Sequence, residues 1–235
     1  MTQLATPLSA GPGTGSHPDT DTDPRPWRWA GGLALAHVVV MLGALSQEGV
    51  ILEHGASTAK VQHDLAAASL TRMYAGGYVE SMAFLVLVPA LVLIARLLGR
   101  RTELGRVAAQ TFLGLGIAFV ASTLAIGFAP AAAAGYAAHH GVDAGAIAMV
   151  NDLRNFGFVL QVALLAAMTL ALGVAALTDR VHMRWIGWGG VAVGAVGLVV
   201  TPFAHNAISM VWMIWWVGMA VLLLRGAPAT DRPNR

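Results

Sequence analysis

The chain is predicted to be all-α, a polytopic bundle of six transmembrane helices. Three observations carry that prediction. At 57% apolar and 11% charged, with positive mean hydropathy, the composition lies well outside the range of soluble domains. Six apolar stretches, Trp29–Ser46, Tyr74–Leu98, Val107–Ala129, Leu153–Leu177, Trp185–Phe203 and Ala207–Leu224, each have roughly the 17–25 residues a helix needs to cross the hydrocarbon core. Thirteen arginines and one lysine are distributed around these stretches in an in/out alternation.

Residues 1–26 form a Gly/Pro/Ser/Thr/Asp tail with Asp19, Asp21 and Asp23 and little to bury, so disorder is expected there. The transmembrane domain then covers 27–226, and 227–235 is a second short tail. The first span follows Arg25 and Arg28 and ends in Ala44-Leu45-Ser46, which imitates a signal sequence with a small-x-small cleavage site. Its apolar run is longer and later than a signal peptide's, so it is read as a retained helix. The link Gln47–Met73 contains a helix candidate, Ala59–Thr71, with Val61, Leu65, Ala68 and Arg72 on one face and Ser57 or Thr58 as N-cap. It either lies at the interface or runs straight into the second span. Gly99–Gly105 and Thr178–Arg184 read as short basic turns, and Pro130–Asp152 as a longer loop. His205-Asn206 is so short a link that the fifth and sixth spans must be antiparallel neighbours.

Orientation follows from the arginines. With six alternating spans, Arg25, Arg28, Arg96, Arg100, Arg101, Arg106, Arg180, Arg184, Arg225, Arg232 and Arg235 share one side, against Lys60, Arg72 and Arg154 on the other. The positive-inside rule makes the arginine side cytoplasmic, with both termini there. Trp27, Trp29, Trp185 and Trp188 fall at that same interface as an aromatic belt. The arginine-for-lysine usage with abundant Ala and Gly points to a high-GC bacterial gene, hence a bacterial cytoplasmic membrane. Membrane lipid is the expected partner. Nucleic acid is not, because the basic residues sit at helix ends rather than on one continuous face. There is no cysteine, which removes disulfides and thiol chemistry.

Some features speak to packing. Gly187, Gly190, Gly194 and Gly197 give the fifth span a small-xxx-small face. That face serves either contact inside the bundle or a homo-oligomer through Gly190 and Gly194. Gly114 and Gly116 read likewise, and Pro89 is expected to kink the second span. Trp212, Trp215 and Trp216 are assigned to packing and lipid contact.

Met183-Arg184-Trp185-Ile186-Gly187-Trp188-Gly189 resembles the Pro-Arg-Trp-Leu-Gly-Trp-x-Gly element before the fifth helix of a group of uncharacterised actinobacterial membrane proteins, with Met183 where that group has proline. Asn151-Asp152-Leu153 with Phe156-Gly157-Phe158-Val159-Leu160, and Tyr74-Ala75-Gly76-Gly77-Tyr78, are similar to the same group. The resemblance spans roughly residues 30–226. It implies a six-helix domain of unknown function and lends no activity or catalytic residue.

Chemistry must then be sought in intramembrane polar groups, which are costly and therefore informative. Asn151, Arg154, Asn155 and Gln161 share one broad face of the fourth span, with Asp152 beside them. Glu80 lies about 9 Å below Tyr74 along the second span at 1.5 Å per residue. Its expected partner is Arg154, then Arg72. Two readings stay open for this set: a structural polar clasp between the second and fourth spans, or a polar cavity open to the outer side that binds a small solute, a lipid headgroup or a proton. His37 and Gln110 add polar atoms deeper in the bundle. A transporter or metal-binding alternative rests on His54, His63, His139, His140 and His205 with Glu48, Glu53, Asp64 and Asp143 on the outer side, although no HxxxH pair occurs. No cofactor is expected, since His37 is the one histidine well inside a span. No HExxH, GxSxG or P-loop pattern occurs, and Ser46, Ser81, Ser122 and Ser209 have no evident base nearby. The expectation is a non-catalytic protein.

Overall fold

The structure is a computed structural model and describes residues 23–48, 55–178 and 184–226. Its elements are α1 (Arg25–Glu48), α2 (Thr58–Ala67), α3 (Leu70–Leu97), α4 (Glu103–Ser122), a π turn (Thr123–Phe128), α5 (Ala129–His139), α6 (Ala144–Thr178) and α7 (Arg184–Leu224). No strand occurs among the described residues. Five helical runs are long and apolar enough to cross a membrane, one of them being α4, the π turn and α5 in continuity. The protein is a multi-pass, all-α membrane protein. The expectations for residues 1–22, 49–54, 179–183 and 227–235 lie outside the described residues.

A straight α7 of 41 residues would be roughly 60 Å long at 1.5 Å per residue, about twice the hydrocarbon thickness. It is not straight. Ala204, two residues after Pro202, has φ −145° and ψ 44°, and there the chain folds back on itself. Gly218 lies against the Trp185 ring, Gly189 against Trp215, and Gly197 against Ile208, so the partners run in opposite directions. The two arms, 184–203 and 205–224, are therefore an antiparallel hairpin, as the shortness of the His205-Asn206 link requires. Among the described residues the bundle makes six crossings.

The two described chain ends meet. Gly226 lies against Pro24 and Arg28, and Trp27 shares a small apolar cavity with Ile94, Leu98, Ala176, Ile186, Met219 and Leu223. Arg25, Arg28, Arg96, Arg100, Arg101, Arg106, Arg184 and Arg225 thus belong to one end of the bundle, below called the arginine end. Lys60, Arg72 and Arg154 belong to the far end. An even number of crossings follows from geometry as well as from charge. The belt is smaller than expected, however. Trp29, Trp185 and Trp188 are exposed, whereas Trp27 is buried in the core because it falls on the inward face with Ala30 and Ala34. Trp212, Trp215 and Trp216 are buried too, so they pack the core and do not face lipid.

Close helix approach explains the glycines. A methyl group on Gly194 would lie 2.4 Å from the Leu170 backbone nitrogen and 2.7 Å from the Ala166 carbonyl oxygen. One on Gly190 would lie 3.0 Å from the Gly173 Cα. The Gly190/Gly194 face is spent on α6 and is not open to a second copy. The bland alternative, packing within one bundle, is the one the structure contains. Gly116 similarly receives Leu91 and Met168, while Gly114 faces open space. α3 runs unbroken through Pro89.

The far end departs most from expectation. The expected loop Pro130–Asp152 is mostly helix, comprising α5 and the first turns of α6, with a turn of four residues, His140 to Asp143, between them. Alanine has the highest helix propensity, and Ala131–Ala134 continues the α4 run rather than ending it. Pro130 has no N–H to give the carbonyl four residues back, and the wider π turn just before it absorbs the missing bond. α2 starts one residue earlier than expected and ends at Ala67. Ser57 caps it by accepting from the Lys60 backbone N–H, and Ser69 caps α3 in the same way. Val61 and Leu65 of α2 pack on Ala134, Ala138 and Ile147, forming a second small core. α2, the end of α5 and the start of α6 therefore make a cap over the far end of the bundle.

Candidate functional site

Two pieces of broken helix, each seated against α6, lie just beneath this cap. The first is the π turn between α3 and α6. Its Phe128 ring seats on Gly77 of α3 and its Ile126 on Gly157 of α6; a methyl group on either glycine would lie within 2.3 Å of that side chain. Gly77 and Gly157 are buried because only hydrogen leaves room for the wedge. Ser122 Oγ and Thr123 Oγ1 both donate to the Phe119 carbonyl at 2.9 Å, so hydroxyls occupy an acceptor where the helix widens. The second piece is the elbow of α7 at Ala204, whose His205 ring meets the Phe158 ring of α6 edge-on at 5.6 Å.

The expected polar residues can be placed against this frame. Glu80 falls on the α3 stripe of Phe84, Leu87 and Leu91, which are core residues, and is half-buried. Arg154 falls on the α6 stripe of Ile147, Leu165 and Leu172, and is also half-buried. Both stripes turn inward by the 3.6-residue repeat. From the glycines that share the π turn, Arg154 stands about one helical turn nearer the far end than Glu80. Glu80, Asp152 and Arg154 each engage a partner. Arg72 sits in the exposed first turn of α3, outside this inner set.

The broad face of α6 is divided between two neighbours. Gln161 is buried and its Nε2 donates to the Ser122 carbonyl at 3.4 Å, which ties α6 to α4. Asn155 lies instead on the side carrying Ala166, which packs against Gly194 and Gly197 of α7. Asn151 is buried at 4% exposure and Asn155 is half-buried; the Nδ2 atoms of both are enclosed without a hydrogen-bond partner, as is Nδ1 of His205. Asn155 Nδ2 and His205 Nδ1 belong to the side of α6 that passes the α7 elbow, while Asn151 lies about 10 Å farther along α6 than Phe158, toward the cap. Other enclosed nitrogens without partners, His37 Nε2 and the indole nitrogens of Trp212 and Trp215, are spread through the main core beside regular helix. His37 Nδ1 donates to the Ala83 carbonyl at 2.9 Å, with Phe84 against the ring, so this histidine ties α1 to α3. Sequence reading set His205 among loop histidines and passed over Phe158. The His205-Asn206 link contained the signal, because so tight a turn must hold its side chains against the neighbouring helix.

The remaining histidines of the far end serve local structure. His139 Nε2 lies 3.0 Å from the Ala68 carbonyl, and His140 bonds the Tyr136 carbonyl at 2.7 Å and stacks on its ring. His63 pairs with Asp64. Lys60 also pairs with Asp64, and these two hydrogen bonds, Lys60 first, hold the Asp64 carboxyl below the usual carboxylate range. Among the described residues no three histidines or carboxylates converge as a metal site, and His54 lies outside them. The four serines Ser46, Ser81, Ser122 and Ser209 each donate to a carbonyl of their own helix.

No family model, curated protein or solved structure matches this chain. What stands of the resemblance is its coarse content, a polytopic all-α membrane protein with several long apolar helices.

Proposed function

We propose that this membrane protein acts through a polar binding site in the far half of the bundle, at the corner of α6 and the α7 elbow, and that it performs no covalent chemistry there. The single observation behind the reading is the pair of enclosed, unpartnered nitrogens of Asn155 and His205, with that of Asn151 farther along the same face of α6. Each unsatisfied buried polar group costs about 1–3 kcal/mol. The two amide groups on one face of α6 form a donor deficit that a ligand with oxygen acceptors would remove, and His205 Nδ1 can join them in its protonated tautomer. Arg154, next to Asn155 on α6, sets the charge of the site, and its pairing with Glu80 of α3 belongs to the same proposal. Asp152 stands at its rim. The ligand class is a small solute or headgroup bearing carbonyl, carboxylate or phosphate oxygens. In this reading the arginine end faces a bacterial cytoplasm and the site opens outward.

A second reading, transport of such a solute, is favoured by the broken helices at this level. Non-helical backbone at membrane depth is tolerated where it is buried in protein or lines a cavity, and interrupted helices commonly carry transport sites.

Asn155→Leu tests the binding reading. Replacing an unpartnered buried amide by an apolar side chain of similar size relieves its desolvation cost. Thermal stability in mild detergent should hold or rise, while native mass spectrometry shows loss of a small molecule that the unaltered protein retains. If the unaltered protein retains nothing and Asn155→Leu unfolds earlier, the amide is structural and the site does not exist.

A further inference from the structure

A second binding site is visible at the opposite end of the molecule, independent of the first. Arg25, Arg28, Trp29 and Gly32 line an open groove of about 320 Å³ along α1. The spacing puts all four on one helix face. Gly226, just after Arg225, lies against Pro24 and Arg28, so the end of α7 brings another guanidinium to the same region. No carboxylate among the described residues pairs with the side chains of Arg25, Arg28 or Arg225. The nearest acid, Asp23, accepts instead from the Arg25 backbone N–H at 2.9 Å. The groove therefore has excess positive charge in the fork geometry that suits a phosphate.

Its continuation selects the occupant. Below the arginines the same face carries Gly32, Ala36, Val39 and Gly43. Gly32 is half-buried, the other three are exposed, and a methyl group on Gly43 would meet nothing within 4 Å. Gly32, Ala36 and Gly43 keep this face low beside the exposed Val39, leaving a shallow track from the guanidinium level into the apolar depth of α1. A soluble phosphate would use the upper part and leave the track bare. A phospholipid uses both. Trp29, 67% exposed beside the arginines, sits where an indole prefers the headgroup boundary. We infer that this groove seats one anionic phospholipid of the arginine-end leaflet, its phosphate between Arg25 and Arg28 and one acyl chain along Gly32, Ala36 and Val39.

The test titrates phosphatidylglycerol and phosphatidylcholine separately into delipidated full-length protein in mild detergent and reads bound lipid by native mass spectrometry. One tight phosphatidylglycerol is expected, with much weaker phosphatidylcholine. Arg28→Gln should weaken phosphatidylglycerol at least tenfold. Arg184→Gln, which removes equal charge elsewhere at the same end, should cost no more than the roughly fivefold of one diffuse surface charge. Gly32→Leu fills the track while leaving every charge in place, and its Cβ meets nothing nearer than the end of a flexible side chain, Leu224 Cδ2 at 3.8 Å, so the fold should survive. It should also weaken phosphatidylglycerol at least tenfold. Equal losses for Arg28→Gln and Arg184→Gln, or no loss for Gly32→Leu, would reduce the groove to general surface attraction and overturn the inference. Displacement of the lipid by inorganic phosphate at equal concentration would overturn it too, by making the ligand a soluble anion.

Discussion

The packing account stands or falls on what a single methyl group does at Gly194. A Cβ there would meet Leu170 N at 2.4 Å and Ala166 O at 2.7 Å. Ordinary van der Waals contact begins near 3.4 Å, so α6 and the first arm of α7 must separate by about 1 Å. Both obstructing atoms are backbone and cannot swing aside. Overpacking of this kind costs about 1–3 kcal/mol, and the upper half applies because a gap of 0.5–1 Å also forfeits a quarter to a half of each neighbouring dispersion contact. Alanine returns about 1 kcal/mol of helix propensity. The net is a loss of about 1–2 kcal/mol, or roughly 2–8 °C in Tm for a chain of this size. Gly114→Ala is the matched control. It is the same chemical change in a helix, yet its methyl meets nothing within 4 Å, so propensity alone acts and Tm should rise by about 2–4 °C. Thermal unfolding in mild detergent, followed by tryptophan fluorescence, measures both. If the two substitutions shift Tm in the same direction, the glycine face does not hold α6 against α7 and the antiparallel hairpin is wrongly seated.

The remaining predictions concern the first span, the cap and the broken helices. α1 packs against α3 and α7, with Ala44 at 1% exposure on its buried face, so its removal would strip a wall from the core. Intact mass should accordingly include it, near 24.4 kDa, and a species beginning after the Ala44-Leu45-Ser46 segment would show that the span is a leader. The Asp64 carboxyl is held below its ordinary value of 3.8, so it binds protons less readily folded than unfolded. Its contribution to α2 is complete above that pH and is lost as pH falls through the lower, folded value. Amide exchange across 58–67, corrected for intrinsic rates, should therefore speed up below about pH 3.8, and Asp64→Asn should show the faster rate at neutral pH and no further change on acidification. Amides of 123–129 and 203–207 should exchange faster than those of 108–120 and 212–220 in the same bundle. A uniform rate would mean that the π turn and the elbow are as well bonded as ordinary helix.

The spans and the gathering of arginines at one end were legible because they depend on quantities a sequence carries directly, namely apolar length and the placement of guanidinium groups. The antiparallel hairpin of α7 was legible too, since a two-residue link leaves no other geometry. Helix rotation was harder to read. Trp27 and Trp29 stand two apart, so one enters the core while the other faces out, and composition alone cannot distinguish them. The far-end helices were missed for a local reason. Pro130, Gly135 and the adjacent histidines punctuate the stretch like a loop, and a π turn that makes room for the proline has no signature in residue types. The site was half legible. Asn151, Arg154 and Asn155 were selected by cost of burial, but the division of the α6 face, Gln161 toward α4 and Asn155 toward α7, depends on which helices flank it.

The two proposed sites differ in how their polar groups are left over, and the difference follows from their depth. At the arginine end, water and headgroups are near, so unpaired guanidinium groups cost little and their excess charge selects an anionic partner from the interface. Along the α6 face that meets the elbow the nitrogens of Asn155 and His205 are enclosed, as is that of Asn151 nearer the cap, and an unmet donor there is costly. Such atoms persist in a fold either because the backbone nearby cannot supply acceptors or because something else does. Backbone acceptors are in fact close by, since the π turn and the break at Ala204 both leave carbonyls outside regular α-helical pairing. Gln161 shows that a side chain of α6 can reach one of them, on Ser122. Asn155 and His205, flanking the other break, reach none. The donors of the corner are therefore left unmet although carbonyls lie near them, whereas Gln161 meets its own one helix face away, and that contrast favours an external oxygen-bearing ligand over a packing defect.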